Sequence, residues 1–447
     1  MSEPLIPVPG RLHSVATEGH LAGANEIIDD NLGEVQSVIN ARYDQKLDLI
    51  INDIDQSREM ILDKLDDIEE LDNYYTTSYV IDQRNNIGLP DTFIRKNIAS
   101  KDAIKTIKIN EEDIYVDVIK RIWANTKLCV GLYDSTNGVL KCKEISREDK
   151  SLYADGTSVS ISSSDEYDVF MKLPEFYWVC EELDTDIYEI KFTTDIEHTQ
   201  EHWHYHSGDT FIGVYKGFIN NNKLYSKPNV TPTVNQSMST FRNSAKNKSA
   251  NNEYDLITYD SHRIMALLGF GWINSTDEHA YIGAGTSNYP KTTGLCDSLG
   301  IVDGENQSVN FWGLENWWGD IFEFMPTVRT HPDTDNVVQI FNRDDTLNRN
   351  VTCHGGIRQD NVVSKMELGV NGDLLPKEYS SISTKRCYSD SLALNPHGGY
   401  ITSRSGTGNN ENIGLVYIAI NGLDMAYEQV GSRLEYKGNY EFVESFV

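Results

Sequence analysis

Between Ile28 and Ile68 apolar residues return every three or four positions. The series runs Ile28, Leu32, Val35, Ile39, Tyr43, Leu47, Ile50, Ile54, Ile61, Leu65 and Ile68, with Ser57 filling the one polar place. Forty residues in eleven steps is about 3.6 per step, the period of a straight α-helix. Residues 26–72 contain no proline, and Asn25 is a suitable N-cap. The opposite face is charged, and residues 26–72 hold fifteen acids and four bases. The pattern predicts a helix over 26–75, ~70 Å long at 1.5 Å per residue. Such a helix has to cover its apolar ridge, and uncapped periodic patterns beyond ~25 residues usually mean coiled coils. β-branched Ile at most seam positions, with no seam Asn, favours three strands and hence a homotrimer. The alternative is a long helix folded back on a globular body.

The periodicity changes on either side. Residues 1–25 hold Pro4, Pro7, Pro9 and three glycines, and are expected to be an extended anchoring segment. From 76 to 164 short strand-like runs (TIKI, IYVDVI, KLCVGLY) alternate with turns such as Ser135–Gly138, which predicts a small β-rich connector. From 165 to 447 aromatic strand-like runs alternate with Gly and Asn clusters. Two helices are expected there: 231–247, capped by Thr231, and 259–272, with Ile264, Leu267 and Leu268 on one face. The fold class expected is therefore multi-domain: a long α-helical coiled-coil stalk, a β-rich connector and an α+β tip.

Composition narrows the function classes. The chain has 447 residues, 39 Lys+Arg against 68 Asp+Glu, and a net charge of −29. So acidic a chain is a poor partner for phosphate backbones, so nucleic acid is not an expected partner. No apolar run reaches ~18 residues, so no membrane insertion is expected. The opening residues show no secretory signal. The six cysteines include no CxxC pair, which fits reduced thiols made in a cytoplasm better than a disulfide framework.

The most informative segment is FWGLENWWGDIFEF, residues 311–324, in which Trp312, Trp317, Trp318, Phe322 and Phe324 interleave with Glu315, Asn316, Asp320 and Glu323. It reads either as a sugar platform or as a core motif whose polar side chains satisfy backbone groups. GLENWWGDIFEF resembles the G-N-x-W-E-W signature of the C-type-lectin-like superfamily, which includes formylglycine-generating enzymes and phage receptor-binding variable proteins. VGSRLEY, 430–436, is similar to the G-F-R-L strand that ends that fold, and His354-Gly355-Gly356 to its Gly-Gly strand start. The stretch from DVFMKLPEFYWV onward resembles a module of phage tail and fibre proteins. The opening PLIPVPGRLHSVATEGHLAGANEIIDDNLGEVQSVIN is similar to the N-termini of fibre-type virion proteins of gut Bacteroides and crAss-like phages. These resemblances imply a C-type-lectin-like tip and a virion fibre or adhesin. Its N-terminus would dock on portal, collar, tail or capsid proteins, and its far end would bind a host-surface glycan or protein. A structural decoration protein and a capsule depolymerase are the alternatives.

Candidate chemistry is sparse. Formylglycine-generating enzymes work through active-site cysteines, whereas Cys296, Cys353 and Cys387 are far apart here. No nucleophile elbow or P-loop is present, so no catalytic residue is assigned. Glu175, Glu315 and Glu323 are carboxylates without a distinguishing signal. His202, His204 and His206 would share one face of a strand, and three imidazoles could hold Zn, Ni or Fe; the alternative is a solvated surface strand. The triplets of calcium-dependent lectins are absent, and no other cofactor is expected. For the receptor surface the loop 403–414 stands out, with Arg404, Ser405, Thr407, Asn409, Asn410 and Asn412 as small polar groups on a Gly-flexed chain. Tyr400 and Trp312 are the candidate stacking faces for a sugar ring.

Overall fold

The computed structural model describes residues 75–85, 92–96, 106–109, 112–283, 285, 290–296, 308–334, 336–353, 362–380, 388, 401–404, 414–421, 424 and 426–446. Three sheets dominate. An eight-stranded sheet runs, in spatial order, Tyr254–Leu256, Arg433–Lys437, Thr210–Asn220, Asp168–Lys172, Lys127–Asp134, Val139–Ile145 and Tyr440–Phe442, with Lys223–Ser226 paired beside Thr210–Asn220. A five-stranded sheet runs His204–His206, Phe176–Asp184, Ile187–Thr193, Thr76–Asp82 and Phe93–Lys96. A six-stranded sheet contains Leu347–Thr352, Val337–Phe341, Phe322–Thr330, Ile401–Arg404 and Ile418–Asn421, with Val430–Gly431 parallel to Phe322–Thr330.

This corrects the expected architecture. The described residues are 41% strand and 14% helix with four short helices, so no long coiled-coil stalk is seen and the α+β lectin-like division does not describe them. Nor is 76–164 a separate connector. Lys127–Asp134 pairs with Asp168–Lys172 across the expected boundary, and Val139–Ile145 pairs with Tyr440–Phe442. Sheet pairing is long-range, so a boundary drawn from local composition cuts through one sheet. The predicted helix 26–75 and its seam, Ile28 to Ile68, fall almost wholly on residues 1–74, outside the described residues.

Local chemistry sets the helix limits. Asp117 accepts from Ile119 N and starts Val118–Asn125, so IYVDVI divides between a strand and a helix. Ser237, not Thr231, caps Met238–Lys246, because Pro232 and the extended chain after it precede the helix. Thr258 caps Tyr259–Ile273, and Asn274 ends it in the left-handed conformation. That helix is buried on nearly all sides from Tyr259 to Gly271 rather than on one face. It is a central element: Gly271 sits where a Cβ would meet Ile119 and Tyr79.

The Trp segment lies at the centre of the fold, and its polar side chains bind backbone. Glu315 accepts from Gly294 N at 2.8 Å, and Asn316 Oδ1 accepts from Val309 N at 3.2 Å. Trp318 Nε1 donates to Gly283 O at 2.9 Å, and Asp320 accepts from Lys291 N at 3.1 Å. Glu323, fully buried, receives Lys216 Nζ at 2.9 Å and Arg433 Nη2 at 2.8 Å. Arg433 uses its remaining donors on the carbonyls of Gly213, Val214, Glu315 and Asn316.

Removing one partner of a buried, hydrogen-bonded charge cluster leaves the other uncompensated and costs about 3–5 kcal/mol. Arg433→Met should therefore lower the stability measured by urea unfolding by that amount. A loss below about 1 kcal/mol would show that the cluster does not hold the sheets together.

Candidate functional site

A cleft of about 530 Å³ opens where the edge strand of the five-stranded sheet and strand ends of the other two sheets meet the N-terminus of the Tyr259–Ile273 helix. Its walls come from segments far apart in the chain. Trp178 and His204–His206 belong to the five-stranded sheet. Glu435 and Lys437 belong to the eight-stranded sheet. Phe341 and the turn 342–346 lead out of the six-stranded sheet.

The turn is fixed from beneath. Arg242 forks between Asp255 and Asp345, with both Asp345 oxygens at 2.7 Å from Nη1, and Arg329 also reaches Asp345 at 2.7 Å. Asp345 is held at φ 64°, and Arg343 and Asp344 are presented beside it. The Thr346 hydroxyl and N–H hold the Asp344 carboxyl below its ordinary range.

The helix end is also tied down. Glu435 accepts from Thr258 N and Thr258 Oγ1, both at 3.0 Å, and lies 3.8 Å from Arg343. Burial raises its pKa, opposed by Arg343. Arg263 donates to Asp260 at 3.0 Å and to the Asn371 carbonyl, and its guanidinium lies 5.1 Å from the Trp178 ring centre. The Asp260 side chain is 64% exposed, so one of its oxygens remains for a ligand.

The aromatic wall is a cross-strand ladder. His204 faces Trp178, Tyr205 faces Tyr177, and His206 faces Phe176 in register. The ring centres are 4.5, 4.9 and 4.8 Å apart, all stacked. Tyr205 is 52% exposed and offers an open aromatic face to the cleft.

The ladder also decides the histidine triad. His204 and His206 lie on the strand, but His202 lies in a turn at φ 75°, so the three do not share a strand face. His204 Nε2 is 2.9 Å from the Val370 carbonyl oxygen. Among the described residues no group of three His, Cys, Asp or Glu could hold a metal ion. Both rings favour the neutral form: burial lowers the His204 pKa, and burial followed by Lys437 lowers that of His206 to about 4.

The expected receptor residues scatter. Tyr400, Ser405, Thr407, Asn409, Asn410 and Asn412 lie outside the described residues. Arg404 ends the strand Ile401–Arg404, its backbone opposite Glu323. Trp312 is only 7% exposed and lines a second, smaller cavity away from the cleft. Tyr205, Asp260, Arg343 and Lys437 were not legible as a site, since no local motif joins them. The only signals were the Thr258 cap and the turn-forming Asn342–Asp345. Compared with known proteins, the sequence matches no family model, and no curated protein matches it significantly. Among the described residues no helix is long and apolar enough to cross a membrane.

His206 generates a pH prediction. Its folded pKa, about 4, lies below the ordinary 6.5, so it adds stability above pH 6.5 that is lost as pH falls through 4. Discounted for a partly exposed ring, the loss is on the order of 1–3 kcal/mol. Thermal unfolding of His206→Phe between pH 7 and 4 should show a shallower decline than the parent. Parallel curves would remove His206 as the cause.

Proposed function

We propose that this chain is a virion attachment protein of a tailed phage and that the 530 Å³ cleft binds a host-surface glycan without cleaving it. The likeness of the opening segment and of residues 165–447 to phage tail and fibre proteins supports the virion setting. The cleft supports the ligand class. Its volume lies within the ~300–1,000 Å³ of small-ligand sites. Polar groups line it, and one exposed ring, Tyr205, backed by Tyr177, offers a stacking face. Polar groups around an open aromatic face suit a ring that is hydroxylated at its edges and apolar on its faces.

Binding is favoured over hydrolysis because the carboxylates of the cleft are oriented by protein donors, with Asp260 keeping one oxygen for a ligand, whereas glycosidic cleavage needs a facing pair of carboxyl groups. Glu435 serves Thr258, Asp260 serves Arg263, and Asp344 serves Thr346. Display of several copies on one particle would convert a weak single site into firm attachment.

The test uses the full-length chain and a panel of Bacteroides surface polysaccharides. Tyr205→Ser should weaken binding about tenfold, the ~1.4 kcal/mol expected for one stacking contact. Asp260→Asn should do so by a similar factor. Unchanged binding in both variants would remove the cleft as the site. Release of shortened oligosaccharides would replace adhesion by depolymerisation.

A further inference from the structure

The second cavity, about 250 Å³, is walled by Trp123, Trp272 and Trp312, with Phe311, Arg147 and Asn310. The Trp123 and Trp272 ring centres are 5.3 Å apart, and those of Trp272 and Trp312 are 5.9 Å apart. Three indoles from three separate segments thus converge on one space too small for an oligomer and suited to one ring.

Trp312 is held there against local preference. The hairpin Asn310–Phe311/Leu314–Glu315 turns through Trp312 and Gly313 at φ 55° and 93°. Two central residues at positive φ define a type I′ turn, in which Asn-Gly is the favoured pair. A bulky residue in the first place is a conformational outlier, and such outliers cluster at ligand clamps.

Two further observations point to a ligand and limit its chemistry. The indole nitrogens of Trp272 and Trp312 are buried donors without a hydrogen-bond partner. Native proteins leave few such groups, and two on the walls of one cavity favour a ligand rich in oxygen acceptors. The charge is one-sided as well. Arg147 lies 4.6 Å from the Trp123 ring centre, and Lys120 Nζ lies 3.5 Å from that of Trp272. No carboxylate is among the described residues lining the cavity. Cations already on two of the indoles exclude a quaternary ammonium and favour an anion.

We infer that the Trp123–Trp272–Trp312 cavity binds a single carboxylated sugar ring, a hexuronate, with its face on the indoles and its carboxylate toward Arg147. The choice of a sugar rests on the glycan-binding reading of the cleft; the cavity and its charge do not.

The experiment is calorimetric titration of the full-length chain with methyl glucuronide, methyl glucoside and indole-3-acetate. The glucuronide should bind at least tenfold more tightly than the glucoside. Trp312→Asn restores the preferred turn residue but removes a buried indole, so it should lower the melting temperature while leaving a cooperative unfolding transition, and should abolish binding. Arg147→Gln should erase the preference, bringing the affinity for the glucuronide down to that for the glucoside. Equal affinity for both glycosides, unaltered binding in Trp312→Asn, preference for indole-3-acetate, or no binding of any probe would each overturn the assignment. These titrations use single-ring probes, so their failure is distinguishable from loss of polysaccharide binding through Tyr205 and Asp260.

Discussion

A guanidinium placed where no water can reach it must find every partner within the chain. Arg433 meets that demand with Glu323 and four carbonyls drawn from Gly213–Val214 and Glu315–Asn316. Those groups belong to the strand Thr210–Asn220, to the Trp segment and to the six-stranded sheet. Arg433 itself sits on a strand of the eight-stranded sheet, so one residue fixes how the two large sheets approach each other. Lys216 neutralises the remaining charge of Glu323 and also binds the Ile321 carbonyl at 2.9 Å. Directional bonds at this density specify register in a way that apolar packing alone does not.

From that fixed centre the two candidate sites differ in construction. The cleft is assembled from rims, with a helix end, an edge strand and a tethered turn each bringing polar groups to its walls. The Trp cavity is assembled from the core outward, with aromatic bodies that pack against buried Leu128 and Phe311. The first suits adaptable hydrogen bonding and the second a fixed shape.

Local elements were readable in the sequence because their causes are local. KLCVGLY and TIKI are strands, and Ser135–Gly138 is a turn with Gly138 at φ 65°. The polar residues of the Trp segment were readable as backbone partners for the same reason. The domain plan was not readable, because the partner of Val139–Ile145 lies three hundred residues downstream in Tyr440–Phe442. The histidines misled through an assumed strand that begins only at His204. Trp312 was visible as an aromatic near a functional motif, but nothing in its neighbourhood announces Trp123 or Trp272. The cleft has no sequence signature, since its walls are made of residues from six separate stretches.

The position of Arg433–Lys437 has a consequence for biosynthesis. This strand lies inside the eight-stranded sheet, between Tyr254–Leu256 and Thr210–Asn220, not at its margin. While the ribosome works through the intervening residues, those two strands wait with a gap between them for a time on the order of tens of seconds. The nascent chain therefore carries unsealed strand edges until Arg433–Lys437 emerges, and polypeptides that have not yet reached that strand are the ones most exposed to wrong pairing.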